Sequence, residues 1–138
     1  MGITYIDRVA TAEEHRLLAE RVGWADAFPW EAMPGSLAGS YCGTVALTGD
    51  AQVVGMGRAV GDGAFFFYLQ DIAVDPEYQA LGIGGELIRR LIDQVRGLTG
   101  GEAFIGLFAT DAAIPLYRRA GFDDQGPLSG MWQVLGSP

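Results

Sequence analysis

An α/β fold of α+β arrangement, a mixed and largely antiparallel sheet flanked by helices, is predicted by three observations. Apolar runs over residues 41–47, 52–60 and 64–74 are separated by Gly49-Asp50 and Gly61-Asp62-Gly63. Short Gly/Asp spacers between apolar runs mark antiparallel hairpins. An amphipathic segment over 82–96 then leads to a fresh apolar run over 103–109, so that segment is a crossover and its two flanking strands lie parallel. Between them stands Gln79-Ala80-Leu81-Gly82-Ile83-Gly84-Gly85, with three glycines in four positions where the helix opens. A chain of 138 residues, 49% hydrophobic and 19% charged, suits one folded domain over 1–138.

Taken in order, residues 3–9 alternate loosely and read as an opening strand. Thr11 with Glu14 three positions on is a capping box, and Leu17, Leu18 and Val22 give the helix over 11–22 its apolar face. His15, the only histidine, lies among Glu13, Glu14 and Arg16 and reads as a solvent-facing residue of that helix. Residues 23–40 hold Trp24, Phe28 and Trp30 among glycines and prolines that leave room for short turns at most. These aromatics either pack under a loop or wall a pocket. Gly55 and Gly57 inside the middle strand indicate a bulge or a close backbone approach. Asp75-Pro76 ends the third strand. Leu87, Ile88, Leu91, Ile92 and Val95 mark the buried face of the crossover helix. A last helix over 111–119 ends at Gly121, and residues 131–135 read as a closing strand.

Composition excludes several roles. The net charge of −8 disfavours a nucleic-acid partner. No apolar run approaches a membrane span, and the first residues lack a basic flank and an apolar core, so no signal peptide is expected. The single cysteine, Cys42, rules out an internal disulfide, points to a reducing cytoplasm, and reads as a buried structural thiol.

The glycine stretch is an anion site in the making. N–H groups of a helix's first turn have no internal partner, and the dipole adds partial positive charge there, so a phosphate suits the spot. A P-loop fails because Gly85 and Glu86 follow Gly84 where Lys and Ser/Thr are required. A dinucleotide fingerprint fails because Leu87 replaces the third glycine. Gln79, Gly82 and Gly84 instead satisfy Gln-x-x-Gly-x-Gly.

With D-I-A-V-D-P-E-Y-Q-A-L-G-I-G-G-E-L over 71–87 and A-I-P-L-Y-R-R-A-G-F over 113–122, the sequence resembles the GNAT superfamily of acyl-CoA-dependent N-acetyltransferases. The resemblance implies a sheet splayed between strands 64–74 and 103–109, with acetyl-CoA in the split. Its pantetheine arm would run along Ile72, Ala73 and Val74. Its pyrophosphate would rest on backbone N–H groups of the loop formed by Gln79, Ala80, Leu81, Gly82, Ile83, Gly84 and Gly85. Thr110 stands where many relatives carry Asn, and Gly85 where a hydroxyl often assists.

The implied function is direct acetyl transfer to a small primary amine, which needs a deprotonated amine, a stabilised oxyanion and a proton for the leaving thiolate. Tyr117 stands at the family's tyrosine position and is the candidate acid, with a backbone N–H near Val74 as oxyanion donor. Gln70 occupies the position where some relatives carry a glutamate base, and an amide is no base. The base is therefore Asp71, or waters relay the proton while Gln70 orients the substrate, or the amine binds already neutral; strand alternation sets Asp71 on the face opposite Gln70. Tyr68, Trp24, Phe28, Trp30 and Trp132 are the candidate pocket wall. Two other readings remain, a non-catalytic acyl-CoA sensor and a protein-amine acetyltransferase, and exposed apolar side chains would point to a homodimer.

Overall fold

The computed structural model describes residues 2–136. The chain divides between Leu107 and Phe108 into two compact units. In the first, strands β1 (Thr4–Ile6), β2 (Cys42–Leu47), β3 (Val53–Gly61), β4 (Phe66–Val74) and β5 (Phe104–Gly106) form one sheet in the order β1-β2-β3-β4-β5. The first four strands are antiparallel to their neighbours, and β4 and β5 are parallel. That is the mixed, largely antiparallel sheet the hairpin spacers require. Among the described residues, no helix is long and apolar enough to cross a membrane.

Helix α1 (Ala12–Arg21) starts at Thr11, whose side chain accepts the Glu14 N–H while the Glu14 carboxylate accepts the Thr11 N–H. A six-residue helix, α2 (Met33–Ala38), lies in a segment where sequence suggested only turns. Pro34 sits in its first turn, where proline loses no intrahelical bond. Helix α3 (Ile83–Thr99) runs three residues past the expected end, to Gly100 in the left-handed conformation.

The two sheet faces are covered differently. On one, Leu87, Ile88, Leu91 and Val95 of α3 are at most 1% exposed. Burying each stabilises the fold by about 1.5–3 kcal/mol. Gly55 and Gly57 allow this approach: a Cβ at Gly55 would lie 3.0 Å from the Ile83 side chain, and one at Gly57 2.9 Å from Leu91. Both are thus close-approach glycines, and Gly57 also sits at a register shift opposite β4. On the other face, Leu18 of α1 packs with Ala10, Val45, Met56 and Ala73, and Val22 and Trp24 close the edge.

Some expected strands are shorter. β1 and β5 hold three residues each, against the longer runs over 3–9 and 103–109. The second unit contains a 3₁₀ turn (Asp111–Ala113) and helix α4 (Ile114–Arg119), followed by Gly121 at φ +98°. Residues 131–135 form no strand. The unit has no other strand among its described residues to pair with, and an extended segment without a ladder partner is not a strand.

Candidate active site

β4 carries the site because only its first part is paired on both sides. Phe66, Phe67 and Tyr68 pair with Phe104, Ile105 and Gly106. From Leu69 to Val74, no strand among the described residues pairs with β4 on the β5 side, while β3 continues to pair on the other. β5 ends at Gly106, so along Ile72, Ala73 and Val74 the sheet partner of β4 among the described residues is β3 alone.

The loop that follows has an unusual backbone. Asp75 caps a 3₁₀ turn (Pro76–Tyr78) by accepting the Glu77 N–H. Gln79 then donates from Nε2 to the Val74 carbonyl, tying loop to strand end. Ala80 (φ +64°) and Gly82 (φ +82°) are both left-handed, with Leu81 between them. Positive-φ residues of this kind occur in the backbone nests whose successive N–H groups bind anions. Gly82 is also the N-cap of α3, with no side-chain cap, and its carbonyl accepts the Glu86 N–H, so the N–H groups of Ile83, Gly84 and Gly85 precede the first intrahelical bond. Glu86 brings a negative charge one turn into this helix, but Arg89 and Arg90 both bind its carboxylate. The Arg89 hydrogen bond, chiefly, holds that carboxyl at about 2. Arg89, Arg90 and Arg118 are engaged in ion pairs with acidic neighbours.

At its centre β4 is bulged. Gly55 pairs with Val74 and Met56 with Ala73, whereas Arg58 pairs with Gln70, so Asp71 and Ile72 together face Gly57. Asp71 takes φ +59°, a conformation Asp tolerates better than most residues. The bulge overturns the simple alternation expected from sequence. Asp71 does not lie opposite Gln70; both point to the Arg58 side, and Gln70 Nε2 donates to Asp71 Oδ1 at 2.7 Å. Arg58 Nε donates to Asp71 Oδ2 at 3.0 Å. The rest of the Arg58 guanidinium is held by the Ser36 carbonyl and the Ser36 and Ser40 hydroxyls.

The third partner of Asp71 is His15, whose Nε2 lies 2.8 Å from Oδ2. This corrects the reading of His15 as solvent-facing: it is 1% exposed. The signal was in the sequence, because His15, Leu18, Ala19 and Val22 follow the i, i+3, i+4, i+7 spacing of a buried stripe. Leu17, counted earlier on that face, is exposed. Burial alone would raise the Asp71 carboxyl, but the His15 hydrogen bond and the Arg58 charge outweigh it and hold it below the ordinary range.

His15 also joins the aromatic segment. Phe28 and Trp30 meet its ring edge-on at centroid distances of 4.8 and 5.9 Å, and Trp24 stands 6.3 Å from Phe28. All three aromatics are half-buried. Trp30 Nε1 donates to the Ala25 carbonyl, and Arg16 lies over the Trp30 ring. Tyr68 is half-buried, and burial followed by the Asp71 charge raises its phenol.

Trp24, Phe28, Trp30, Gln70 and Asp71 are thus brought into one network through His15, which sequence reasoning missed. Of the remaining candidates, Thr110, Tyr117 and Trp132 lie in the second unit. There Tyr117 is buried against Phe122 at 6.0 Å, and Trp132 packs on Phe108 at 5.3 Å while 75% exposed. Cys42 is half-buried, and burial raises its thiol, as befits a structural cysteine rather than a nucleophile. Among the described residues no cluster suits a metal ion.

Comparison with known proteins agrees with the fold. Residues 9–122 match the model of the Acetyltransferase (GNAT) family. A GNAT family acetyltransferase from Streptococcus pneumoniae superposes with a TM-score of 0.80 at 30% identity, covering 99% of this chain and all of that one. A probable acetyltransferase of unknown function from meticillin-resistant Staphylococcus aureus gives 0.86 at 24% identity over 98% of this chain and all of its own. The N-alpha-acetyltransferase RimI of Mycobacterium tuberculosis is 36% identical over 92 residues, 66% of this chain and 54% of its own length. The chain spans about a third of the first plant relatives it matches, 32% and 35% of their lengths.

Proposed function

Because the chain belongs to the GNAT acetyltransferase family, and is therefore an N-acetyltransferase by kind, we propose that it moves the acetyl group of acetyl-CoA to a small primary amine by direct transfer. The observation that carries this reading is the open edge of β4 followed directly by the bare N-terminus of α3. The donor set suits the cosubstrate. Main-chain N–H and C=O groups at Ile72–Val74 match pantetheine amides, and the N–H groups of residues 80–85, with the helix dipole, match a pyrophosphate. Bound there, acetyl-CoA supplies an activated thioester carbonyl.

The chain's own residues do the rest. A backbone N–H near Val74 donates to the developing oxyanion. Gln70 orients the amine: its Nε2 is committed to Asp71, which turns Oε1 into the acceptor for an amine N–H. Asp71 is a poor base, since its carboxylate already accepts from His15, Arg58 and Gln70, so the amine proton leaves through water. Tyr117 protonates the departing thiolate. The half-buried Trp24, Phe28 and Trp30, with Tyr68, give the acceptor an apolar wall, which favours a small amine over a protein terminus. The acidic chain and its lone half-buried thiol suit a cytoplasmic enzyme.

The test is thiol release from acetyl-CoA across a panel of primary amines. Amine-dependent release, lowered at least about tenfold by Tyr117→Phe, is the expected result. Binding of acetyl-CoA without turnover on any amine would replace the enzyme with a sensor module, and release driven only by peptide N-termini or lysines would replace the substrate class.

A further inference from the structure

We infer that His15 is the proton acceptor at the end of the water relay, taking the amine proton on Nδ1; this assignment rests on the acetyl-transfer reading above. Asp71 fixes the tautomer. Its ionised carboxylate only accepts, so the imidazole nitrogen facing Oδ2, Nε2, carries the hydrogen. Nδ1 is then left with a bare lone pair, and it has no hydrogen-bond partner among the described residues although His15 is 1% exposed. A buried imidazole, oriented through one nitrogen by a buried carboxylate and unengaged at the other, is the arrangement that serves as a general base in unrelated hydrolases.

The surroundings suit the task. Among charged groups at the imidazole, β4 supplies Asp71 and β3 supplies Arg58, which shares the Asp71 Oδ2 with it. On its own helix Arg16 is drawn onto Trp30, and Glu14 is paired with Arg8. The 24–30 segment presents the uncharged rings of Phe28 and Trp30, and α2 carries no charged residue. His15, Arg58 and Asp71, with Leu37 and Met56, also border a cavity of about 10 Å³, room for one water.

The step balances. The ammonium proton passes through water to Nδ1 and from there to solvent. The freed lone pair attacks the thioester carbon, a C–N bond forms and the C–S bond breaks. The second nitrogen-bound proton offsets the one Tyr117 gives the thiolate.

His15→Gln separates this role from a structural one, because the glutamine Nε2 can still donate to Asp71 while no base remains. With an amine substrate, the variant is expected to lose about a hundredfold in kcat, to stay folded with an unchanged KM for acetyl-CoA, and to replace the acid limb of the pH profile with activity rising steadily with pH. Retention of half the kcat with an unchanged acid limb would overturn the assignment. A second readout needs no turnover. As the only histidine, His15 gives one imidazole signal pair in a 15N-histidine spectrum. Nε2 is expected to carry the hydrogen and Nδ1 to be bare. A hydrogen on Nδ1 in place of Nε2 would overturn it. Absence of turnover on every amine would overturn the acetyl-transfer reading, and the spectrum alone would then decide whether His15 is a basic imidazole.

Discussion

The two faces of the sheet bury different chemistry. Beneath α3 lie Leu87, Ile88, Leu91 and Val95, and glycines at 55 and 57 let the helix settle close. Beneath α1 and α2 lie His15, Arg58 and Asp71, none more than 7% exposed, within a shell of Leu18, Met56 and Ala73. The apolar face is held by area, which adds up contact by contact and tolerates imperfect fit. The charged face is held by geometry, because each ion is costly to bury alone and safe only with its partners in place. The face that needs exact partners is the one that carries the β4 bulge at Asp71.

Substitutions sharpen this contrast. Arg58→Ala strands the Asp71 carboxylate and is expected to cost about 3–5 kcal/mol, measured by urea denaturation. Leu91→Ala on the other face should cost about 2–5 kcal/mol. The comparison breaks if Asp71→Ala added to Arg58→Ala costs as much again, since a coupled pair loses little more once one partner is gone. Acidification is the next largest effect. Asp71 and Glu86 both titrate below their ordinary range when folded, so each contributes stability that is whole above about pH 4. That stability is lost as pH falls through the depressed values, to about 2 for Glu86. The melting temperature should therefore drop between pH 5 and 2, and Asp71→Asn should flatten part of that drop while lowering stability at pH 7. The smallest effect concerns the two left-handed residues beside the site. Asp71 is clamped by three side chains, whereas Ala80 at φ +64° has no side-chain hydrogen bond to hold it there. Ala80→Gly should stabilise by about 1 kcal/mol in the same urea experiment.

The same contrast explains what was legible in the sequence. Leu87, Leu91 and Val95 announce their face by spacing alone, and Gly49-Asp50 and Gly61-Asp62-Gly63 announce their hairpins, because burial of area has a period. Gln79, Gly82 and Gly84 disclose the anion loop because only backbone geometry is at stake. The charged face has no period. His15 looked solvated beside Glu13, Glu14 and Arg16, although its spacing to Leu18 and Val22 placed it inward. Arg58 and Asp71 were lone opposite charges in adjacent apolar strands, a pairing visible once their hairpin is drawn. Their shared orientation with Gln70 depends on one bulged residue, which alternation cannot foresee. Residues 131–135 had a strand's composition, but composition supplies no partner to pair with.

The central proposal is that main-chain groups along Ile72–Val74 and at residues 80–85 hold the cosubstrate. Backbone amide shifts recorded by 15N NMR while CoA is titrated into the labelled protein test it most directly. The account predicts saturable shifts centred on the N–H groups of Gly82, Ile83, Gly84 and Gly85 and along Ile72–Val74. Saturable binding that left those amides unmoved would contradict it.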